Sequence, residues 1–375
     1  MVLAKVSPLL EILNPHPRSS KLKIKLDYRY VLLLGIPVAF FAGSLHWGEV
    51  VQFVAAAVGI IPLAGFIGEA TEELTAYTGP KIGGLLNATL GNAAELIITV
   101  VAIKEGVIDL VIASITGSIL GNLLLVLGVS ILLGGIRNGT QKFSQTRATT
   151  NATMLMLAVV ALMIPAVFGE FIDAHHHEAL QPFSLMVAVV MIIIYGLGIF
   201  YTFTASEDDT LLTRPSAHNK QEATWSLQKA VIVLVISTLA IVFMSELLVA
   251  SVEHVVAQLG WSEFFVGIII VPLVGNAAEH LVAVQVSLKN QMTLAMEIAL
   301  GSSLQIALFV APLLVIIAAL MGKSMAFKFN VFELVALASA ALVGVFAFKD
   351  GESNWFEGAQ LLALYLILGV AFYFI

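Results

Sequence analysis

Glu95 and Glu279 each sit inside a long apolar run, and each closes the same five-residue word. The word reads Gly91-Asn92-Ala93-Ala94-Glu95 and, 184 positions later, Gly275-Asn276-Ala277-Ala278-Glu279. A carboxylate at membrane depth is costly and by default marks a functional site. Two of them in matching surroundings point to the halves of one ion-binding site. Together they offer up to four oxygens, whereas Ca²⁺ takes about 6–8 at about 2.3–2.6 Å. The remainder can come from side-chain oxygens, from water, and from backbone carbonyls freed near Ala88 and Pro272. One divalent cation neutralises the pair, and so do two protons. The empty, doubly ionised pair is the disfavoured state, through desolvation and like-charge repulsion. A carrier that does not reorient while empty would exchange one kind of cargo for the other.

Further polar residues surround the pair in sequence. Asn92 and Asn276 precede the glutamates by three positions and share their helix face. Their amide oxygens could coordinate a cation, or the side chains could hydrogen-bond between helices. Ser118, Asn122, Ser302 and Gln305 lie on the neighbouring apolar runs, as ligands or as packing contacts. His280 stands where the first copy has Leu96. Adjacent helix positions point about 100° apart, so His280 and Glu279 do not aim equally at one ion. It could carry a proton, tune Glu279, or be a hydrogen-bonded core histidine. Glu69, Glu72, Glu73, Glu246 and Glu253 could draw cations into vestibules or be solvated at the interface. Glu72 and Glu246 are the vestibule candidates. His175-His176-His177 and Glu207-Asp208-Asp209 could bind metal or sense Ca²⁺, but solvated loops explain both runs.

The elements that must position these residues follow from composition. Of 375 residues 59% are hydrophobic and 11% charged, against about 25% charged in a soluble domain. Apolar runs of about 20 residues recur along the chain, each able to cross the bilayer core. Only helices or closed barrels survive there, and the expected class is an all-α integral membrane protein. Hydropathy places eleven spans near 28–46, 49–76, 80–104, 108–135, 149–169, 182–204, 228–252, 262–288, 292–321, 329–348 and 355–374. With the N-terminus in the cytoplasm, only Lys104, Lys323 and Lys328 of the 18 basic residues fall outside, as the positive-inside rule asks.

Without a gap, residues 91–128 match 275–312 at twelve of 38 positions, including Gly117-Ser118 against Gly301-Ser302. The expected organisation is a cytoplasmic tail (1–27), an extra first helix (28–47) and a first five-helix repeat (48–204). A cytoplasmic linker (205–227) and a second repeat (228–375) follow. Five is odd, so the repeats are inverted, with broken helices and the site at mid-membrane. The net charge of −7 comes with no basic stripe for nucleic acid, and the absence of cysteine excludes thiol chemistry. No nucleophile–base pair or HExxH spacing indicates an enzyme. No cleavage pattern follows the basic N-terminal flank, which reads as retained.

On GNAAELI (91–97), GNAAEHLVAV (275–284), GSILGNLLLVLG (117–128) and GSSLQIALFVAP (301–312), the chain resembles the cation/proton exchanger (CAX) family of the cation/calcium exchanger superfamily. The resemblance spans the whole membrane region. It implies Ca²⁺/H⁺ antiport, with Glu95 and Glu279 carrying both Ca²⁺ and protons. It also implies support from Asn92, Asn276, Ser118, Ser302 and Gln305, and a histidine at position 280. No cofactor is expected, since Ca²⁺ is cargo; the partners are Ca²⁺, H⁺ and the lipid bilayer. The family's acidic helix between the halves is here reduced to Glu207-Asp208-Asp209. The membrane would be the plasma membrane of a prokaryote, or that of a vacuole or other acidic organelle. The alternative is an Na⁺-coupled or broader divalent-cation exchanger for Mn²⁺ or Cd²⁺; a passive channel fits broken inverted repeats less well.

Overall fold

The computed structural model describes residues 28–175, 179–204, 223–347 and 349–375. The expected tail 1–27, the acidic run Glu207-Asp208-Asp209, His176 and His177 lie outside them. The described chain is almost wholly helical. In order, the helices are α1 (Arg29–Ser44), α2 (Glu49–Gly79), α3 (80–90, then Ala93–Glu105) and α4 (Ile108–Asn138). Next come α5 (Gln145–Gly169), α6 (Leu180–Tyr201), α7 (Leu227–Leu259) and α8 (Glu263–Gly275, then Ala277–Leu288). Last are α9 (Met292–Leu320), α10 (Val331–Ala347) and α11 (Trp355–Tyr373).

Each expected span has a helical counterpart, and the helices differ in length. Among the described residues seven helices are long and apolar enough to cross a membrane, and α8 adds an eighth if its arms count as one. The helix α10 has 17 residues, about 25 Å of rise against about 30 Å of hydrocarbon. A non-helical segment precedes it, burying Met325, Phe327 and Phe329 on alternate positions.

The breaks lie in the repeated word. In α3 the helical path is lost at Asn92 (φ −99°, ψ 27°), and in α8 at Asn276 (φ −96°, ψ 3°), where the arms bend by 61°. A new helix then starts at each following alanine, placing Glu95 and Glu279 in its first turn. Free N–H groups and the positive end of the helix dipole favour an acidic side chain there. An earlier kink separates α2 from α3 at Gly79, whose φ of 80° suits glycine.

The helices that face the breaks form the interior. In the most apolar stretch of α4, 72% of residues are buried and in α9 61%, against 28% for α6 and α7. Both interior helices widen into a π turn at the same repeat position, Gly121–Val126 and Ile306–Val310. Such turns concentrate at functional sites. Helix α4 touches the first arm of α8 backbone to backbone. A Cβ on Gly117 would lie 2.0 Å from the Ile268 carbonyl oxygen, and one on Gly267 would lie 2.6 Å from Ala113 Cβ. Small residues permit such approaches between membrane helices. The long helices α2 and α7, equivalent in the two halves, pack against each other, and α1 lies on α2.

Candidate ion-binding site at the two helix breaks

The two glutamates sit in two interlocked hydrogen-bond knots, each completed by the other half of the chain. In the first, Glu95 is 3% exposed and its Oε1 accepts from Ser118 Oγ on α4 and from Asn276 Nδ2 at the α8 break. Asn276 Nδ2 also reaches Ser118 Oγ at 3.4 Å and the Pro272 carbonyl at 3.2 Å. In the second, Ser302 Oγ on α9 lies 2.6 Å from Glu279 Oε2 and 2.9 Å from Asn92 Oδ1. Asn92 Nδ2 donates to Gln305 Oε1 at 2.7 Å. Each break asparagine thus serves the knot of the opposite glutamate.

Glycine makes the interlock possible. A Cβ on Gly275 would lie 2.7 Å from Glu95 Cγ. A Cβ on Gly91 would lie 3.4 Å from Glu279 Oε1 and 3.6 Å from Gln305 Oε1. The knots are not identical. Asn276 donates directly to a carboxylate, whereas Asn92 reaches Glu279 through Ser302, and Glu279 is only half-buried. Among the described residues no group of three or more His, Cys, Asp or Glu could hold a metal. A cation here would rely on two carboxylates and neutral oxygens, a hard-donor set suited to Ca²⁺.

The structure brings together Glu95, Ser118 and Asn276, and likewise Glu279, Ser302, Asn92 and Gln305. His280 is half-buried; its Nε2 has no hydrogen-bond partner among the described groups and lies outside both knots. Asn122 is buried in the α4 π turn, its Nδ2 without a hydrogen-bond partner among the described residues. The Pro272 carbonyl, expected to be free, accepts from the Asn276 backbone N–H at 3.0 Å as well as from its side chain. The helix bends at Asn276 without abandoning that bond.

The acidic residues away from the breaks have other surroundings. Glu246 pairs with Lys104 Nζ at 2.9 Å, joining α7 to the end of α3. Lys104 is nine residues past Glu95, roughly 13 Å along the helix. Helix α2 approaches the site at Gly65, where an added Cβ would lie 4.0 Å from Ala278 Cβ; Glu72 is exposed two turns further on. Glu69 pairs with Arg29. Glu73 accepts from the Thr224 and Trp225 N–H groups at 2.9 and 3.1 Å. The Lys104–Glu246 pair is about half exposed on both sides, and such pairs contribute about 1 kcal/mol or less. Lys104→Gln is therefore expected to shift the thermal unfolding midpoint in detergent by no more than a few degrees.

Sequence reasoning missed two buried carboxylates. Glu333, 2% exposed, accepts from Thr116 Oγ1 on α4 at 3.1 Å and from the Asn330 N–H at 2.8 Å, while Asn330 Oδ1 accepts from the Glu333 N–H. The Asn-x-x-Glu spacing before an apolar run signals this reciprocal cap. Glu297 on α9 pairs with Arg147 on α5 at 2.8 Å. A lone acid inside an apolar run was the available signal. Removing Glu333 would orphan Thr116 and the Asn330 N–H together. Glu333→Ala is expected to destabilise the fold by about 3 kcal/mol, read as a lowered unfolding midpoint.

The pattern of a family described as Sodium/calcium exchanger protein matches residues 48–204 and 229–374. The Ca(2+)/H(+) antiporter of Aphanothece halophytica is 44% identical over 355 residues, 92% of this chain and 95% of that protein. The Ca(2+)/H(+) antiporter ChaA of Bacillus subtilis (strain 168) is 43% identical over 344 residues, 90% of this chain and 96% of that protein. The solved structure of native YfkE superposes with a TM-score of 0.81 at 41% identity, covering 92% of this chain and 100% of that one.

Proposed function

This chain belongs to the sodium/calcium exchanger protein family, and we propose that it is a Ca²⁺/H⁺ antiporter working by alternating access. The observation that carries the proposal is the pair of interlocked knots: two carboxylates at matched helix breaks whose hydrogen-bond partners, among the described residues, are neutral hydroxyl and amide groups. The names of its 44% and 43% identical relatives support the same reading. In it, Glu95 and Glu279 bind either one Ca²⁺ or protons at mid-membrane. Asn92, Asn276, Ser118, Ser302 and Gln305 supply further oxygens.

The present hydrogen bonds indicate what ion binding must rearrange. Asn276 turns its N–H₂ toward Glu95 Oε1, and Asn92 turns its own toward Gln305 Oε1. A cation needs oxygens at these places, so the amides must rotate or withdraw as it enters. Ser302 has one hydroxyl hydrogen for two acceptors, Glu279 Oε2 and Asn92 Oδ1. A proton on Glu279 supplies the missing donor: Glu279 gives to Ser302, Ser302 to Asn92, and Asn92 to Gln305. Removing the proton or the hydroxyl breaks that chain. Ser302→Ala also removes one of the oxygens offered to the cation, and that loss is expected to raise the KM for Ca²⁺ by about tenfold, the scale of one interaction with a charged group.

Binding of Ca²⁺ and protons at one pair makes each suppress the other, and this reciprocal coupling turns a pH gradient into Ca²⁺ movement. The distribution of basic residues supports a cytoplasmic N-terminus; in this reading the cycle exports cytosolic Ca²⁺ against inward proton flow. The chain is a multi-pass membrane protein, placed in the plasma membrane of a prokaryote or an acidic organelle of a eukaryote. The test is ⁴⁵Ca²⁺ uptake by reconstituted protein under an imposed pH gradient, without and then with Na⁺. Uptake in the absence of Na⁺ is expected; uptake that requires an Na⁺ gradient would contradict the proposal.

A further inference from the structure

The hydrogen bonds of Glu95 account for only one of its two oxygens. Oε1 takes both donors, whereas Oε2 is buried and has no hydrogen-bond partner among the described residues. The carboxylate borders a small cavity of about 10 Å³ lined by Glu95, Thr99, Ser114 and Ser118, with Ile115, Ile306 and Val310 as its apolar walls. That volume sits at the lower limit for one water molecule, which also needs two to four polar partners.

The partners are present. Thr99 is 4% exposed and spends its hydroxyl hydrogen on the Glu95 carbonyl at 2.7 Å, leaving its oxygen able to accept. Ser114 is 2% exposed and lines the same cavity, where its hydroxyl can donate to a molecule held there. A water can therefore donate to Glu95 Oε2 and to Thr99 Oγ1 while accepting from Ser114, which balances donors and acceptors. The equivalent positions of the second half are Ala283 and Ile298. They carry no hydroxyl, so this lining belongs to Glu95 alone.

Building on the antiport reading, we infer that Thr99 and Ser114 form a one-water chamber that holds Glu95 Oε2 while Oε1 exchanges its partners for the transported ion. Thr99 and Ser114 are positioning residues: they act on the cargo only through the water and Glu95. When Ser118 and Asn276 release Oε1 to a cation, the water keeps Oε2 solvated and the side chain in place. The chamber sets how fast the carboxylate changes partners more than how tightly the final complex binds.

Two measurements on the full-length protein test this. In a structure of a resolution that shows ordered water, a peak is expected at hydrogen-bonding distance from both Glu95 Oε2 and Ser114 Oγ. An empty chamber, or a peak at metal-ligand distances that depends on Na⁺, overturns the inference. In proteoliposomes, Thr99→Val with Ser114→Ala is expected to lower the maximal rate of pH-driven Ca²⁺ uptake about tenfold, as for one buried acceptor left unpaired. The KM for Ca²⁺ should stay within about twofold, since the ion-facing oxygens are untouched. Thr99→Ser, which keeps the oxygen, should recover the rate that Thr99→Val loses. A double variant with the full rate, or one altered only in KM, overturns the inference while leaving antiport intact. Absence of uptake by the unmodified protein would count against antiport, and the water peak would then decide the chamber by itself.

Discussion

Replacing both Glu95 and Glu279 by glutamine is expected to abolish pH-driven Ca²⁺ uptake, and either replacement alone to reduce it by at least about a hundredfold, the equivalent of nearly 3 kcal/mol. Glutamine keeps a carbonyl oxygen, so Ser118 and Asn276 retain an acceptor at position 95, and Ser302 keeps one at position 279. The fold should tolerate the change. What is lost is charge: one carboxylate cannot neutralise a divalent cation, and the residual charge sits in a site shielded from water. Uptake together with the detergent unfolding midpoint separates the two effects. A variant that unfolds near the wild-type temperature but does not transport is the expected result.

The second large effect is steric. Gly117→Ala is expected to cost several kcal/mol, lowering yield and unfolding temperature, and to remove most transport from the protein that does fold. The added methyl would meet the Ile268 carbonyl carbon at 2.6 Å and its oxygen at 2.0 Å. These are backbone atoms of a buried π turn, Val266–Ile270, with no side-chain rotation to relieve them. Helices α4 and α8 must separate. Ser118 follows Gly117 on one helix and Asn276 lies beyond Ile268 on the other, so separation pulls apart both donors to Glu95 Oε1. Gly121→Ala is the control on the same helix, since nothing lies within 4 Å of its added Cβ. It should leave the unfolding midpoint close to wild type.

Much of this was legible because it depends on residue type and local spacing. The repeated Gly-Asn-Ala-Ala-Glu word marked the places where α3 and α8 break, and Gly117-Ser118 and Gly301-Ser302 marked the helices that face them. Three features were hidden. Spacing cannot say that Asn276 joins Glu95 rather than Glu279, because the crossing of the halves is a tertiary fact. The π turns after Leu120 and Gln305 are shifts of backbone register with no residue signature. The Arg147–Glu297 and Lys104–Glu246 pairs join residues more than 140 positions apart, which hydropathy cannot connect. The eleven apolar runs were legible as eleven helices, whereas their unequal lengths, such as the 17 residues of α10, were not.

The claim that most of the account depends on is that Ca²⁺ and protons occupy the same two carboxylates in turn. Adding Ca²⁺ to purified protein in weakly buffered solution, and recording proton release, tests it directly. Release that diminishes as the starting pH is raised, with Ca²⁺ affinity increasing over the same range, is the predicted result, and Glu95→Gln with Glu279→Gln should release no protons. Stoichiometric Ca²⁺ binding at this site with no proton release at any pH would contradict it.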